Sequence, residues 1–230
     1  MVQLKICGMR PGDDLSFTRH PEITHVGFIF VPESRRCVTA ADAAEMGKHI
    51  DDSCKKVGVF VNELLERVID TARTARLDVI QLHGNESIET CETLKDMGWT
   101  VWKSLSVHRE ENTDGLVQTI ETYAPHVDAI LLDAAPPKDA GKSVTGGHGV
   151  SFDWSKLSEL NEQMKSNLVV PIWVAGGIRP DNAATLLDTY QPFGLDVSSG
   201  VEENGRKSNQ QIEAMREAVR HYENNHTAAR

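Results

Sequence analysis

Eight short apolar runs recur along the chain, and amphipathic stretches separate most of them. The runs are Leu4–Cys7, Val26–Phe30, Val57–Val61, Val79–Leu82, Val101–Leu105, Ala129–Leu132, Val169–Ala175 and Leu195–Val197. Most are apolar without alternation, the pattern of strands buried on both faces. Trp102-Lys103-Ser104 is the most polar part of any run and the least strand-like. Helical patterns fill the gaps. Asn62 is placed to cap a helix over residues 63–75, with Leu64, Leu65, Val68, Ile69 and Ala72 along one face. Ser87 opens a helix that Gly98 stops. Ala40–Ile50, Gly115–Tyr123, Asp153–Ser166 and Asp181–Tyr190 read likewise. Ser208-Asn209-Gln210-Gln211 is a capping-box pattern that opens a last helix running to about Tyr222.

A βα unit repeated eight times implies a parallel sheet, and eight units close into a (β/α)₈ TIM barrel, an α/β fold usually of about 250 residues. The 230 residues fit one such domain over residues 1–225, with 226–230 as a frayed tail. An open doubly wound sheet is the alternative. It normally carries a Gly-rich cofactor loop after its first strand, and Lys5-Ile6-Cys7-Gly8-Met9-Arg10 is no GxGxxG.

A net charge of −10 supplies no basic footprint for nucleic acid or a membrane surface. It leaves room for a small anionic substrate, because a pocket's local field can oppose the global one. No run approaches the ~20 apolar residues of a transmembrane helix, and MVQLKICGMR lacks the layout of a signal peptide. Cys7, Cys37, Cys54 and Cys91 are isolated from one another, which fits free thiols in a reducing cytoplasm and no zinc site. A cytoplasmic location is the expectation.

In a barrel the chemistry sits at the C-terminal ends of the strands. Gly176-Gly177 after the seventh run and Ser198-Ser199-Gly200 after the eighth let backbone N–H groups approach an anion closely. Either pair alone reads equally well as a tight turn; together, at the two positions this fold uses, they point to phosphate. Cys7 sits at a strand mouth beside Gly8. Free cysteine usually packs as a small hydrophobe, but a thiol is also a workable general base near neutrality. Asp133 directly follows Ile130-Leu131-Leu132, where a carboxylate is costly unless hydrogen-bonded or used; a loop cap or ion pair is the alternative. Arg36 is one of two adjacent arginines able to grip a carboxylate. His83 reads either as a satisfied core histidine or as a polar ligand contact, with no partner at metal spacing. Gly141-Lys142-Ser143 ends like a nucleotide-binding loop, but Pro136 stands where that motif needs Gly.

The strand ends, in this order, resemble phosphoribosylanthranilate isomerase of tryptophan biosynthesis. The matching pieces are KICGMR (5–10), GFIFVPESRRCV (27–38), VGVFVN (57–62), IQLHGNE (80–86), ILLDA (130–134), GGHGVSFDW (146–154), VAGGI (174–178) and DVSSGVE (196–202). The resemblance implies a (β/α)₈ barrel performing an Amadori rearrangement of a phosphoribosyl substrate without cofactor or metal, as a monomer or homodimer. It implies Cys7 as general base and Asp133 as general acid. It also implies Arg36 on the anthranilate carboxylate, Gly176, Gly177, Ser198, Ser199 and Gly200 on the phosphate, and His83 and Asp196 lining the substrate pocket. The acid must hold its proton at neutral pH, which calls for partial burial or hydrogen bonding.

Four departures from the family pattern stand out. His148 replaces the usual Thr or Ser, and Asn204 replaces the usual Pro, which is expected to loosen a turn. Ser208 replaces Asp at a helix cap, and residues 136–145 are expected to form a longer loop placed as a lid. Within enzymes, another phosphosugar isomerase, an epimerase or a Schiff-base aldolase is the alternative; the aldolase would need Lys103 in the mouth. A non-catalytic binder of phosphate ligands is the alternative outside enzymes.

Overall fold

A computed structural model describes residues 1–107, 113–134, 154–163 and 170–227. Eight parallel strands form a closed barrel in chain order: β1 (Gln3–Cys7), β2 (Ile23–Ile29), β3 (Lys55–Phe60), β4 (Val79–Leu82), β5 (Thr100–Val107), β6 (Ala129–Ala134), β7 (Ile172–Val174) and β8 (Gly194–Val197). The seam closes where β1 pairs with β8, placing Lys5 opposite Asp196. Helices α1 (Ala40–Gly47), α2 (Leu65–Thr74), α3 (Ile88–Asp96), α4 (Thr113–Tyr123), α5 (Ser155–Gln163), α6 (Ala183–Thr189) and α7 (Asn209–Thr227) follow strands in turn. Among the described residues no helix is long and apolar enough to cross a membrane.

Successive strand residues point to opposite faces, and the two faces build two different cores. Leu4 and Ile6 of β1, Val26 and Phe28 of β2, Ile80 and Leu82 of β4, and Leu195 and Val197 of β8 belong to the core shared with the helices. The residues between them line the inside. Val57, Val79, Trp102, Ala129, Leu131 and Trp173 form a separate buried cluster. His25, Trp102 and Trp173 meet there with ring centroids 4.7, 4.8 and 5.0 Å apart. Burial drives the His25 imidazole down to about 3. Two residues further along their strands come Cys7 after Lys5, Gln81 after Val79, Ser104 after Trp102, Asp133 after Leu131 and Asp196 after Gly194. The apolar plug thus gives way to polar side chains toward the C-terminal ends.

Several local expectations change. β5 is the longest strand, because the polar Lys103 and Ser104 find partners in its neighbours: Lys103 Nζ lies 2.6 Å from the Gly84 carbonyl, and Ser104 Oγ accepts from Gln81 Nε2 at 2.9 Å. Asn62 does not cap α2, whose N-cap is Leu64. Asn62 stands at φ 49°, and its Oδ1 accepts from the Asn85 amide at 2.7 Å, tying the loops after β3 and β4 together. Ser87 does cap α3, accepting from the Thr90 amide, and Gly98 follows that helix at φ 88°. Asn204 does not loosen its turn. Residues Glu202–Glu203 (β9) and Arg206–Lys207 (β10) pair antiparallel around Asn204-Gly205, which stand at φ 50° and 73°. A two-residue hairpin of this type favours Asn-Gly and cannot accept Pro, whose φ is fixed near −65°. Ser208 Oγ accepts from the Gln211 amide at 3.4 Å, while the Gln211 side chain donates to Glu203 rather than closing a capping box. Helix α7 continues past Tyr222 to Thr227.

Candidate active site

One cavity opens at the C-terminal mouth of the barrel, enclosing about 690 Å³ open to solvent. Its walls hold Cys7 from β1, Asp133 from β6, Asp196 from β8 and Gln81 from β4, with His83 just beyond β4. Arg36 reaches in from the loop after β2, and Gly176, Gly177, Ser198, Ser199 and Gly200 form one side. All ten residues singled out in the sequence therefore border one space.

The glycine-rich side has the shape an anion needs. Gly176 and Gly177 lie at φ 91° and 64°, where side chains are strained. Gly200 presses on the preceding loop so closely that a Cβ would stand 1.8 Å from the Ile178 carbonyl oxygen. A single 3₁₀ turn, Ser199–Val201, follows β8 directly. Ser198 Oγ donates to the Cys7 carbonyl at 3.0 Å, locking this loop to the end of β1.

Cys7 is buried, and burial pushes its thiol above the ordinary value. The Lys5 and Lys207 ammonium groups pull it back, and Asp196 adds to the rise. Lys5 is fully buried, two residues before Cys7 on the inward face, with Nζ 2.7 Å from Asp196 Oδ2. Burial alone would lower Lys5; Asp196 and Cys7 outweigh it and hold the ammonium above its usual value. Asp196 Oδ1 has no hydrogen-bond partner among the described residues. A buried acceptor left in that state is costly, and it borders the cavity.

Asp133 Oδ2 lies 3.2 Å from His83 Nε2. His83 Nδ1 lies 3.3 Å from Gln81 Nε2, which also donates to Ser104 Oγ. Arg36 grips Glu202 in a fork, Nε to Oε1 at 2.6 Å and Nη2 to Oε2 at 3.0 Å. Lys207 Nζ donates to the same Glu202 Oε1 at 2.9 Å and to the Ser198 carbonyl at 2.9 Å. Arg35 adds a third cation, its Nη2 3.0 Å from Glu202 Oε2. Burial works to raise the Glu202 carboxyl, but Arg36 and Lys207 hold it at about 2. Three cations around one carboxylate leave this corner positive within an acidic protein, the local reversal a small anion requires.

Residues 4–218 match the family model described as N-(5'-phosphoribosyl)anthranilate (PRA) isomerase. The chain belongs to the N-(5'-phosphoribosyl)anthranilate isomerase family.

The N-(5'-phosphoribosyl)anthranilate isomerase of Clostridium acetobutylicum is 35% identical over 96% of this chain and 100% of that protein. The Bacillus licheniformis isomerase is 37% identical over 94% of each. Among solved structures, the phosphoribosylanthranilate isomerase of Thermotoga maritima superposes with a TM-score of 0.79 at 31% identity, covering 96% of this chain and 99% of that one. A phosphoribosylanthranilate isomerase in complex with reduced 1-(o-carboxyphenylamino)-1-deoxyribulose 5-phosphate gives 0.76 at 29%, over 96% and 99%.

In this isomerase barrel Lys103, the residue an aldolase would need, is not in the mouth. Its buried Nζ lies within reach of the Leu82, Gly84 and Ser104 carbonyls and of Glu86 Oε2 at 3.1 Å, and 5.6 Å from the Tyr123 ring centroid. That ammonium braces the loop after His83. His148 and the loop 136–145 lie outside the described residues. Sequence reasoning missed Lys5, Gln81, Glu202 and Lys207. Lys5 and Gln81 each stand two residues before a predicted site residue, so strand periodicity places them on the same inward face. Glu202 lies within the DVSSGVE segment, but nothing in the sequence pairs it with Arg36.

Proposed function

We propose that this chain converts N-(5-phosphoribosyl)anthranilate to 1-(2-carboxyphenylamino)-1-deoxyribulose 5-phosphate, with Asp133 as general acid and Cys7 as general base. Asp133 protonates the furanose ring oxygen as the C1–O bond breaks, and the anthranilate nitrogen lone pair forms the C1=N iminium. The iminium acidifies the C2 hydrogen. Cys7, as thiolate, removes that proton, and the electron pair forms a C1=C2 enolamine. Loss of the C2 hydroxyl proton and protonation of C1 give the aminoketose. No atoms are gained or lost: C1 is reduced and C2 oxidised within one molecule.

The observation that supports these roles is the convergence of a thiol from β1 and a carboxyl from β6 on one cavity whose side wall is glycine-rich. The phosphate is assigned to Gly176, Gly177, Ser198, Ser199 and Gly200. The anthranilate carboxylate is assigned to Arg36, whose Nη1 is the nitrogen not engaged by Glu202. Asp196 and His83 complete the substrate pocket. Anchoring both ends fixes the reacting carbons between acid and base, and positioning of this sort can supply up to ~7–11 kcal/mol of barrier lowering. Fluorescence-followed consumption of phosphoribosylanthranilate by the purified chain, with EDTA present, tests the reading. Turnover is the expected result; a folded protein without turnover contradicts it.

A further inference from the structure

Four side chains run in a line along one wall of the cavity. Ser104 Oγ lies 2.9 Å from Gln81 Nε2, Gln81 Nε2 lies 3.3 Å from His83 Nδ1, and His83 Nε2 lies 3.2 Å from Asp133 Oδ2. Gln81 is 1% exposed, so its amide has no solvent to turn toward. Its Oε1 is buried and has no hydrogen-bond partner among the described residues.

The direction of this chain follows from hydrogen-bond inventory. An amide nitrogen only donates, so the imidazole atom it faces, Nδ1, is an acceptor and carries no proton. A neutral imidazole in this position carries its proton on Nε2, the ring atom that lies 3.2 Å from Asp133 Oδ2. A carboxylic oxygen that already accepts an N–H hydrogen bond is not the one that carries the acidic proton. From this we propose that Gln81 is a positioning residue for the general acid: it holds His83 as the Nε2–H tautomer, which occupies Asp133 Oδ2 and keeps the transferable proton on Oδ1. The proposal rests on Asp133 as the proton donor.

The same arrangement serves both states of the acid. Before transfer, His83 donates to the carbonyl oxygen of a protonated Asp133. After transfer, it donates to a carboxylate. The opposite tautomer fails the first state, because a bare Nε2 draws the Asp133 proton to Oδ2 and away from the substrate. With the Gln81 amide turned over, Oε1 would face Nδ1 and select that unproductive tautomer.

The test is the tautomer of His83 in the complete, unligated protein labelled with ¹⁵N-histidine, read from two-bond ¹H–¹⁵N correlations at neutral pH, with His83→Asn identifying the signal. The expected result is a protonated Nε2 and a bare Nδ1. A protonated Nδ1, or an even mixture of the two tautomers, overturns the proposal whether or not any variant folds. Gln81→Glu supplies the kinetic arm, because its carboxylate accepts from Nδ1–H and reverses the tautomer. Its kcat is expected to fall about 10²-fold with KM within about threefold, as for loss of acid catalysis rather than binding. A Gln81→Glu enzyme that folds and keeps kcat within about twofold overturns the proposal equally. Absence of turnover by the unmodified chain would instead sink the reaction assignment and leave the tautomer result standing.

Discussion

Lys5 and Asp196 face each other across the seam where the barrel closes, register partners on β1 and β8 with Nζ and Oδ2 2.7 Å apart. The pair is buried on both sides, beside the thiol assigned as the base. It joins the first and last strands of the fold and sets the electrostatics of the site in one contact.

Removing one partner strands the other. Lys5→Met leaves a buried carboxylate whose Oδ1 already lacks a hydrogen-bond partner among the described residues. Breaking a buried pair in this way typically costs about 3–5 kcal/mol. Urea denaturation of Lys5→Met should show a loss of that order, and the double variant Lys5→Met with Asp196→Asn should recover part of it. Equal stability of Lys5→Met and the unmodified chain would remove the pair from the account.

The pH dependence of the base follows from its surroundings. Burial holds the Cys7 thiol above its ordinary value, against the pull of Lys5 and Lys207 and with a push from Asp196. The active form is the thiolate. In the free enzyme that form is scarce at neutral pH and grows as pH rises, so the ultraviolet thiolate absorbance that Cys7→Ala removes should climb only above the ordinary thiol value of about 8.5. Without the Lys5 charge the climb should move to higher pH. A Cys7 thiolate already fully formed at about pH 7 contradicts this reading of its surroundings.

Gly27 pairs with Cys7 across β1 and β2, and a Cβ there would stand 2.6 Å from the Cys7 sulfur. The backbone of β2 cannot yield without breaking its ladders, so the thiol must move. Gly27→Ala should cost about 1–3 kcal/mol in stability through overpacking. Displacement of the base should also lower kcat by roughly 10²-fold. Steady-state kinetics beside a denaturation curve separates the two effects.

Glu202 gathers Arg36, Arg35 and Lys207, and its carboxyl sits at about 2 in the fold, below its unfolded value near 4.5. A lowered carboxyl stabilises above the unfolded value, and that stabilisation is lost as pH falls from about 4.5 toward 2. Urea midpoints of the unmodified chain should drop over this window, and Glu202→Gln should drop less. With its fork released, Arg36 no longer presents a fixed Nη1, so KM should rise by about tenfold while kcat changes much less, as for lost ground-state binding.

The barrel and its mouth were legible because two periodicities carry them. Apolar strand runs at a regular repeat give the closed sheet, and the residue ending each run lies at the functional face. Cys7, Asp133, Arg36 and the two glycine-rich turns were reached that way, and they border one cavity. What escaped is long-range pairing. Glu202 meets Arg36 across 166 positions and Lys5 meets Asp196 across 191, and no local pattern announces such partners. Asn62 and Asn204 misled for a related reason: both take positive φ, a backbone state that residue type permits but does not declare. Lys103 looked like an exception in its strand only because its acceptors, at the end of β4, on the loop beyond it and on β5 itself, are brought together by the fold.

The central claim is that Cys7 and Asp133 divide the proton transfers between them. Steady-state turnover of phosphoribosylanthranilate by Cys7→Ala and Asp133→Asn, each shown folded by circular dichroism and measured beside the unmodified chain, tests it most directly. The account predicts that kcat falls by about 10²–10⁴-fold in each variant. Either variant retaining near-full kcat would contradict it.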